Sequence, residues 1–412
     1  MTFPHRSTSV LPLLGALACG AGESASATSS AERTDSAGVE IVVHTTAADA
    51  LPVFATVDTM PELRLGSLAG ATAEQFASVS DVRPLPDGGV AVLDRQAAEI
   101  RLFAADGSWR ATLGAKGEGP GEFQSPVRLG LLPGDTLAVF DPQPRRITRF
   151  ALDGTLGRIT TLAEMRARVS DGAFLPDGRF VGQSRLVSEG ATPPSPGASL
   201  VRDTTVLTLF DVEGTPVDTL DVLPGLETVV HLEIAANRVS IWRRPTMFAR
   251  ANHFAVAGRS AWTSESDRFE LRLRDIESGA LRRVVRAPQL QVPVTETMAR
   301  ALFARAVEDA DNAEMRKQTE DWQALSPRPE LAPAFDAFVA DEQGRLWVRS
   351  WSVEGSGGRW WVFREDGFLL GSVDVPTGLT ITHITCDEVW GVQQDELEVD
   401  HVVRYRLRGA GC

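Results

Sequence analysis

Short apolar runs, each entered through a turn bearing Gly or Asp, recur along the whole chain. They read PDGGVAV (86–92), PGDTLAV (133–139), PDGRFVG (176–182), AGRSAWT (257–263), EQGRLWV (342–348) and CDEVWGV (386–392). Gly and Asp in such turns supply the positive φ angles of tight hairpins, and the runs that follow have strand length. Ala91, Ala138, Val181, Trp262, Trp347 and Trp390 fall at one register of this pattern, which predicts packing between adjacent sheets. Two longer stretches repeat outright, GGVAVLDRQAAEIRLFAADG (88–107) and DTLAVFDPQPRRITRFALDG (135–154). Asp94 and Asp141, Ile100 and Ile147, Phe103 and Phe150, and Gly107 and Gly154 are each displaced by 47 residues. A fixed period of that size predicts a repeat architecture of β-units.

Six copies of a four-stranded unit predict an all-β fold, a six-bladed β-propeller, in which radial repetition leaves only short protected edges. The last unit runs out of chain after three strands. PELRLGS (61–67), followed by Phe76, echoes ATLGAKG (111–117), followed by Phe123, and so offers the missing strand from the N-terminus. A helical insertion is expected over 287–333, between blades four and five. There Glu296 follows Thr295, and Met298, Leu302, Phe303 and Val307 are spaced as on one helix face, with a second short segment carrying Trp322 and Leu325. It reads as a lid over the central funnel or as a cover for its two blades.

The stretch GAKGEGPGEFQSP (114–126) lies between the two best repeats. GPGEF-x-x-P, then V-x-D, then R-I-x-x-F-x-x-DG resembles the NHL repeat and the exported bacterial six-bladed β-propeller family. The resemblance implies the fold; such propellers include lyases, hydrolases, receptors and scaffolds, so it implies no single activity.

Residues 1–18 read as a signal peptide, with Arg6 before an apolar run from Val10 to Ala18 that is too short to span a bilayer. ALAC (16–19) resembles a bacterial lipobox, which makes Cys19 the lipidation site and the protein an envelope lipoprotein, periplasmic or surface-exposed. A plain signal cut near Ala18 or Ala27 would make it secreted. Residues 19–38 read as a flexible tether and 39–412 as the propeller. In that layout Cys386 and Cys412 emerge on one face, as a disulfide in an oxidising compartment or as two unrelated thiols.

The 412 residues carry a formal charge of −14. That balance excludes a nucleic-acid partner, since phosphate binding needs basic side chains. A monomer touching the membrane only through its anchor is expected. The long segments 186–203, 223–247, 287–333, 352–359 and 394–400 all fall on the side of the 114–126 loop, which makes that side the candidate binding face. Its candidate residues are Asp94, Lys116, Glu118, Glu122, Asp141 and Arg145. The two aspartates read first as turn caps, and Lys116, Arg145 and Arg146 as counter-charges for an anion or as ordinary surface charge. Asp395, Glu396, Glu398 and Asp400 could hold calcium, a hard cation wanting several oxygens, or form a solvated rim. No GxSxG, HExxH, CxxC, P-loop or EF-hand pattern is present. The expected function is therefore binding of a protein or small ligand without catalysis. The alternative is a propeller lyase or hydrolase with a site, with or without calcium, in the funnel.

Overall fold

The computed structural model describes residues 30–411 except 187–196, 236–237, 309, 311 and 356. Among them the chain forms six sheets in sequence order, antiparallel but for one parallel pairing, three of four strands and the others of five or six. Each sheet begins with an inner strand: Val79–Pro84, Arg128–Leu132, Val169–Phe174, Asn252–Ala257, Phe335–Ala340 and Thr380–Ile384. Each inner strand neighbours the next, and the sixth returns to the first, so the six surround a central channel. This is the architecture of a β-propeller.

The second strand of each sheet is where the Asp/Gly turns deliver their apolar runs. Ala91, Ala138, Val181, Trp262, Trp347 and Trp390 are all buried there. Trp262 packs with residues of the fifth sheet, Trp347 with those of the sixth, and Trp390 with those of the first. The apolar contacts thus lie between sheets, as the shared register predicts.

The N-terminal region differs from expectation. Residues 31–36, expected within the tether, form the strand Ala31–Ser36, paired antiparallel with Val39–His44. Val39–His44 in turn pairs in parallel with Leu281–Arg286, the outermost strand of the fourth sheet proper. Further on, Pro52–Phe54 lies along the outer strand of the fifth sheet: the Phe54 amide donates to the Ser372 carbonyl at 2.8 Å and the Ser372 amide to that of Pro52 at 3.0 Å. Gly371 allows this approach, because a Cβ there would meet the Pro52 oxygen at 2.2 Å. Thr56–Val57 and Leu63–Leu65 then pair with Asp400–Arg408, the last strand of the sixth sheet. One N-terminal segment therefore covers the outer edges of three successive sheets, edges that would otherwise present unpaired backbone.

The third sheet corrects a second expectation. Much of 186–203 and 223–247, expected as loops, is strand. Gly197–Phe210 and Pro216–Ala235 run on past the end of their neighbour Phe180–Leu186, and Arg238–Pro245 pairs with the extension. The result is a three-stranded ribbon on the side of the 114–126 loop. Between the fourth and fifth sheets stand α1 (Glu296–Glu308) and α2 (Ala313–Leu325). The hydroxyl of Thr295 accepts from the Met298 amide at 3.2 Å, and the Asn312 side chain caps α2 by accepting from Met315 at 2.9 Å. Among the described residues no helix is long and apolar enough to cross a membrane.

Candidate functional site: the central channel and its rim

Polar side chains on the inner strands meet across sheet boundaries. Arg128 of the second sheet grips Asp171 of the third with two parallel hydrogen bonds of 2.8 Å. Burial works against the Arg128 charge, yet Asp171 and Asp81 outweigh it and hold its pKa above the ordinary value. Asp81, itself buried, accepts from the Leu129 amide at 2.9 Å and ties the first sheet to the second.

Toward the opposite end of the channel, Arg83 of the first sheet donates to Nδ1 of His383 in the sixth at 2.6 Å. Nε2 of His383 faces Glu342 of the fifth at 3.0 Å. A guanidinium has no acceptor, so Nδ1 must be bare and Nε2 must carry the proton. His383 is thereby fixed in one neutral tautomer, and burial lowers its pKa despite the nearby carboxylates.

Between the fourth and fifth sheets, His253 packs its ring 5.6 Å from those of Phe335 and Phe338. Burial, with a smaller contribution from Arg349, lowers its pKa to about 4. Beside it in the fifth sheet, Asp336 accepts from Nε of Arg349 at 2.5 Å, and burial raises its pKa against the pull of that guanidinium. The inner strands thus carry neutral imidazoles, a carboxyl biased toward protonation and guanidinium groups, joined to one another across the sheet boundaries.

None of these residues was singled out from sequence. Their signal was weak: Asp81 and Asp171 each lie seven residues before a turn glycine, Gly88 and Gly178, on strands whose other residues are largely apolar.

The predicted binding-face residues are divided differently. Asp94 and Asp141 are fully buried. Asp94 accepts from the amides of Ala77, Ser78 and Ala97 at 2.8, 3.1 and 3.0 Å. Asp141 accepts from Gln124, Ser125 and Gln143 at 2.6, 3.2 and 3.2 Å. Both therefore clamp two loops together, the turn-capping role that their repetition suggests first. Lys116, Glu118 and Glu122 do share one loop. Gly114 begins it, at φ +77, and a Cβ there would strike the Phe123 ring at 2.4 Å. Glu122 closes the loop by accepting from the Gly119 amide at 2.7 Å, and Glu118 accepts from the Gln124 side chain at 3.2 Å. Arg146 reaches the loop, donating to the carbonyls of Glu118 and Glu122. Arg145 instead approaches Glu164, at 3.8 Å.

The acidic run does not converge either. Asp395 accepts from the Leu397 and Val399 amides at 2.9 and 3.0 Å and faces His401 at 3.0 Å. Asp400 accepts from the Val79 amide at 2.7 Å and the Gln394 side chain at 2.9 Å. Glu396 and Glu398 point outward, exposed. Backbone amides and neighbouring side chains engage the carboxylates of Asp395 and Asp400, and no cluster of three or more metal-ligating side chains occurs among the described residues. Cys19 and Cys412 lie outside the described residues; Cys386 accepts from the Gln343 side chain at 3.2 Å.

The ribbon and the helices form one wall on the rim. Val229, Met247, Phe248, Ala299, Ala306 and Trp322 make a core of their own, with Trp242, Leu302 and Phe303 against it. The Trp322 indole donates to the Pro245 carbonyl at 2.6 Å, and the Arg244 guanidinium lies 4.1 Å over its ring. At the foot of this wall Arg202 pairs bidentately with Asp267 at 2.9 and 2.7 Å, and Arg250 pairs with Glu227 at 2.5 Å. A cleft of about 270 Å³ lined by Glu265, Asp267, Arg268, Glu270 and Arg272 opens beside them.

No family model and no curated protein matches the chain. Solved structures do. A protein from Bacteroides fragilis described as exported is 11% identical with a TM-score of 0.46, covering 89% of this chain and 99% of its own. Virginiamycin B lyase from Staphylococcus aureus is 11% identical with a TM-score of 0.41, covering 84% and 98%. A luciferin-regenerating enzyme is 13% identical with a TM-score of 0.40, covering 82% and 93%. None of these likenesses carries an activity across to this chain.

Proposed function

We propose that the chain is an exported, lipid-anchored six-bladed propeller that binds a polar ligand at the loop-rich mouth of its central channel, without catalysis. The observation that carries this reading is the wall just described. Two insertions far apart in sequence share a private core and stand on one rim, above a channel whose lining is charged and aromatic. Rigid scaffolds that gather long insertions on one side use them for recognition.

Export is supported by the leader and by the place of the chain end. Arg345 donates to the Ala410 and Gly411 carbonyls at 2.6 and 3.3 Å and to the Gln343 side chain at 2.9 Å. Gln343 in turn touches Cys386, so the last residues lie beside the expected disulfide partner of Cys412.

The test is a thermal-shift screen of anionic, cationic and neutral polar compounds against wild type and Arg349→Gln. A true ligand at a hundred times its Kd stabilises by about 2.7 kcal/mol. That gain should vanish in the variant. A panel without hits, or hits indifferent to Arg349, would refute a channel site. One observation favours a second reading, a lyase or hydrolase: neutral His253 and the protonation-prone Asp336 both lie close to Arg349. Chemical conversion of a bound compound would decide for it.

A further inference from the structure

We infer that the outer face of the ribbon rests on an anionic lipid surface. The inference is independent of the channel reading and concerns a different surface. In the hairpin of Pro216–Ala235 and Arg238–Pro245, Val230 pairs with Arg243, Leu232 with Ile241, and Ile234 with Val239. Paired residues and those two apart share a face, so these six form one stripe. The stripe is buried at its base, where Val230 and Leu232 are covered, and bare at its end. Ile234, Val239 and Ile241 are 58, 64 and 56% exposed. Three adjacent branched aliphatic side chains at the tip of a projecting hairpin form a convex apolar knob. A knob of that shape suits a fluid interface, which closes around it.

Charge selects the kind of surface. The strand Arg238–Pro245 carries three arginines and no carboxylate, in a chain of net charge −14. Arg243 lies on the apolar stripe itself, with its side chain 42% exposed. Arg185 and Arg243 share a single buried carboxylate, Asp203. At about 3.4 Å per residue, Arg243 stands about 7 Å behind Ile241 and about 14 Å behind Val239. Amphipathic elements bury their apolar face about 5–10 Å into the boundary between headgroups and acyl chains. The aliphatic side chains then enter that layer while Arg243 stays level with lipid phosphates. Asp203 offsets part of that charge, and negative charge farther away than a Debye length of about 8 Å at physiological salt is screened.

The test is cosedimentation of residues 20–412, which contain every strand and helix described above, with vesicles. One set is phosphatidylglycerol with phosphatidylethanolamine, the other phosphatidylcholine alone. Wild type is expected to bind the anionic vesicles preferentially. Val239→Ser with Ile241→Ser should weaken that binding at least tenfold, about 1.4 kcal/mol. Arg243→Gln should weaken it severalfold, and both variants should keep the wild-type unfolding midpoint. No binding to anionic vesicles, or binding that neither variant alters, overturns the inference. So does a wild-type dimer that the aliphatic double variant turns into monomer, since a second copy would then cover the face.

Discussion

Acid should weaken this protein through His253 in a way that one substitution can isolate. The imidazole packs against the Phe335 and Phe338 rings, near Arg349, and its pKa falls from an ordinary 6.5 to about 4, chiefly through burial. Below pH 6.5 the unfolded chain takes up a proton that the native form refuses until about pH 4. Stability is therefore complete above the unfolded pKa and drains away as pH falls between the two values. At about 1.4 kcal/mol per pH unit, that gap amounts to about 3 kcal/mol. His44 and His383, whose pKa values burial also lowers, act in the same direction and remain in the variant. His253→Phe, which keeps an aromatic ring at the position, should be about 3 kcal/mol less sensitive to acidification from pH 7 to pH 4. Urea unfolding at a series of pH values measures the difference, and the NMR titration of His253 reads the pKa directly. Parallel stability curves for the two proteins, or a titration midpoint near 6.5, would refute the argument.

Other perturbations test other parts of the structure. Asp94→Ala leaves the amides of Ala77, Ser78 and Ala97 and the nearby Arg101 without their buried acceptor. It should lose about 2–4 kcal/mol in a denaturant melt, and Asp141→Ala should lose a similar amount. Cys386→Ser should cost about 3–4 kcal/mol under oxidising conditions, the chain-entropy value for a loop of this length. The cost should disappear after reduction, and an equal midpoint under both conditions would exclude the disulfide with Cys412. Calcium should leave the thermal midpoint where EDTA leaves it, because Asp395 and Asp400 are already engaged by amides and neighbouring side chains. A calcium-dependent rise would show that the acidic run opens to bind metal. Trp322→Phe removes the hydrogen bond to Pro245 and part of the cation–π contact with Arg244, and should lower the midpoint by about 1–3 kcal/mol.

The sheets were legible because their signals are local. Asp or Gly in a tight turn followed by an apolar run specifies a strand pair within a dozen residues, and Trp262, Trp347 and Trp390 mark its inner register. The ribbon was not legible. Pro224 and the absence of a glycine between Leu226 and Pro245 make that stretch look like loop, although its strands pair in register. Ala31–Ser36 is almost wholly exposed and has no apolar alternation, so only its partner Val39–His44 makes it a strand. For the channel, the difficulty was one of dimension. Asp81, Arg128 and Asp171, and separately His253 and Asp336, look like scattered polar residues along the chain and become neighbours only when successive sheets pack side by side. The repetition of Asp94 and Asp141 was rightly visible as repetition, but it marks what every unit needs for folding rather than what distinguishes this protein.

The N-terminal segment that runs along the fourth, fifth and sixth sheets also sets the order of assembly. Its docking partners lie between Leu281 and Arg408, so the part of the chain made first has nowhere to settle until almost everything else has formed. Contacts of such long sequence separation close slowly, and exposed sheet edges invite association while they wait. Residues 31–65 should therefore stay accessible to proteases long after the early sheets are protected, which makes this stretch the natural handle for any factor that escorts the chain before it locks shut.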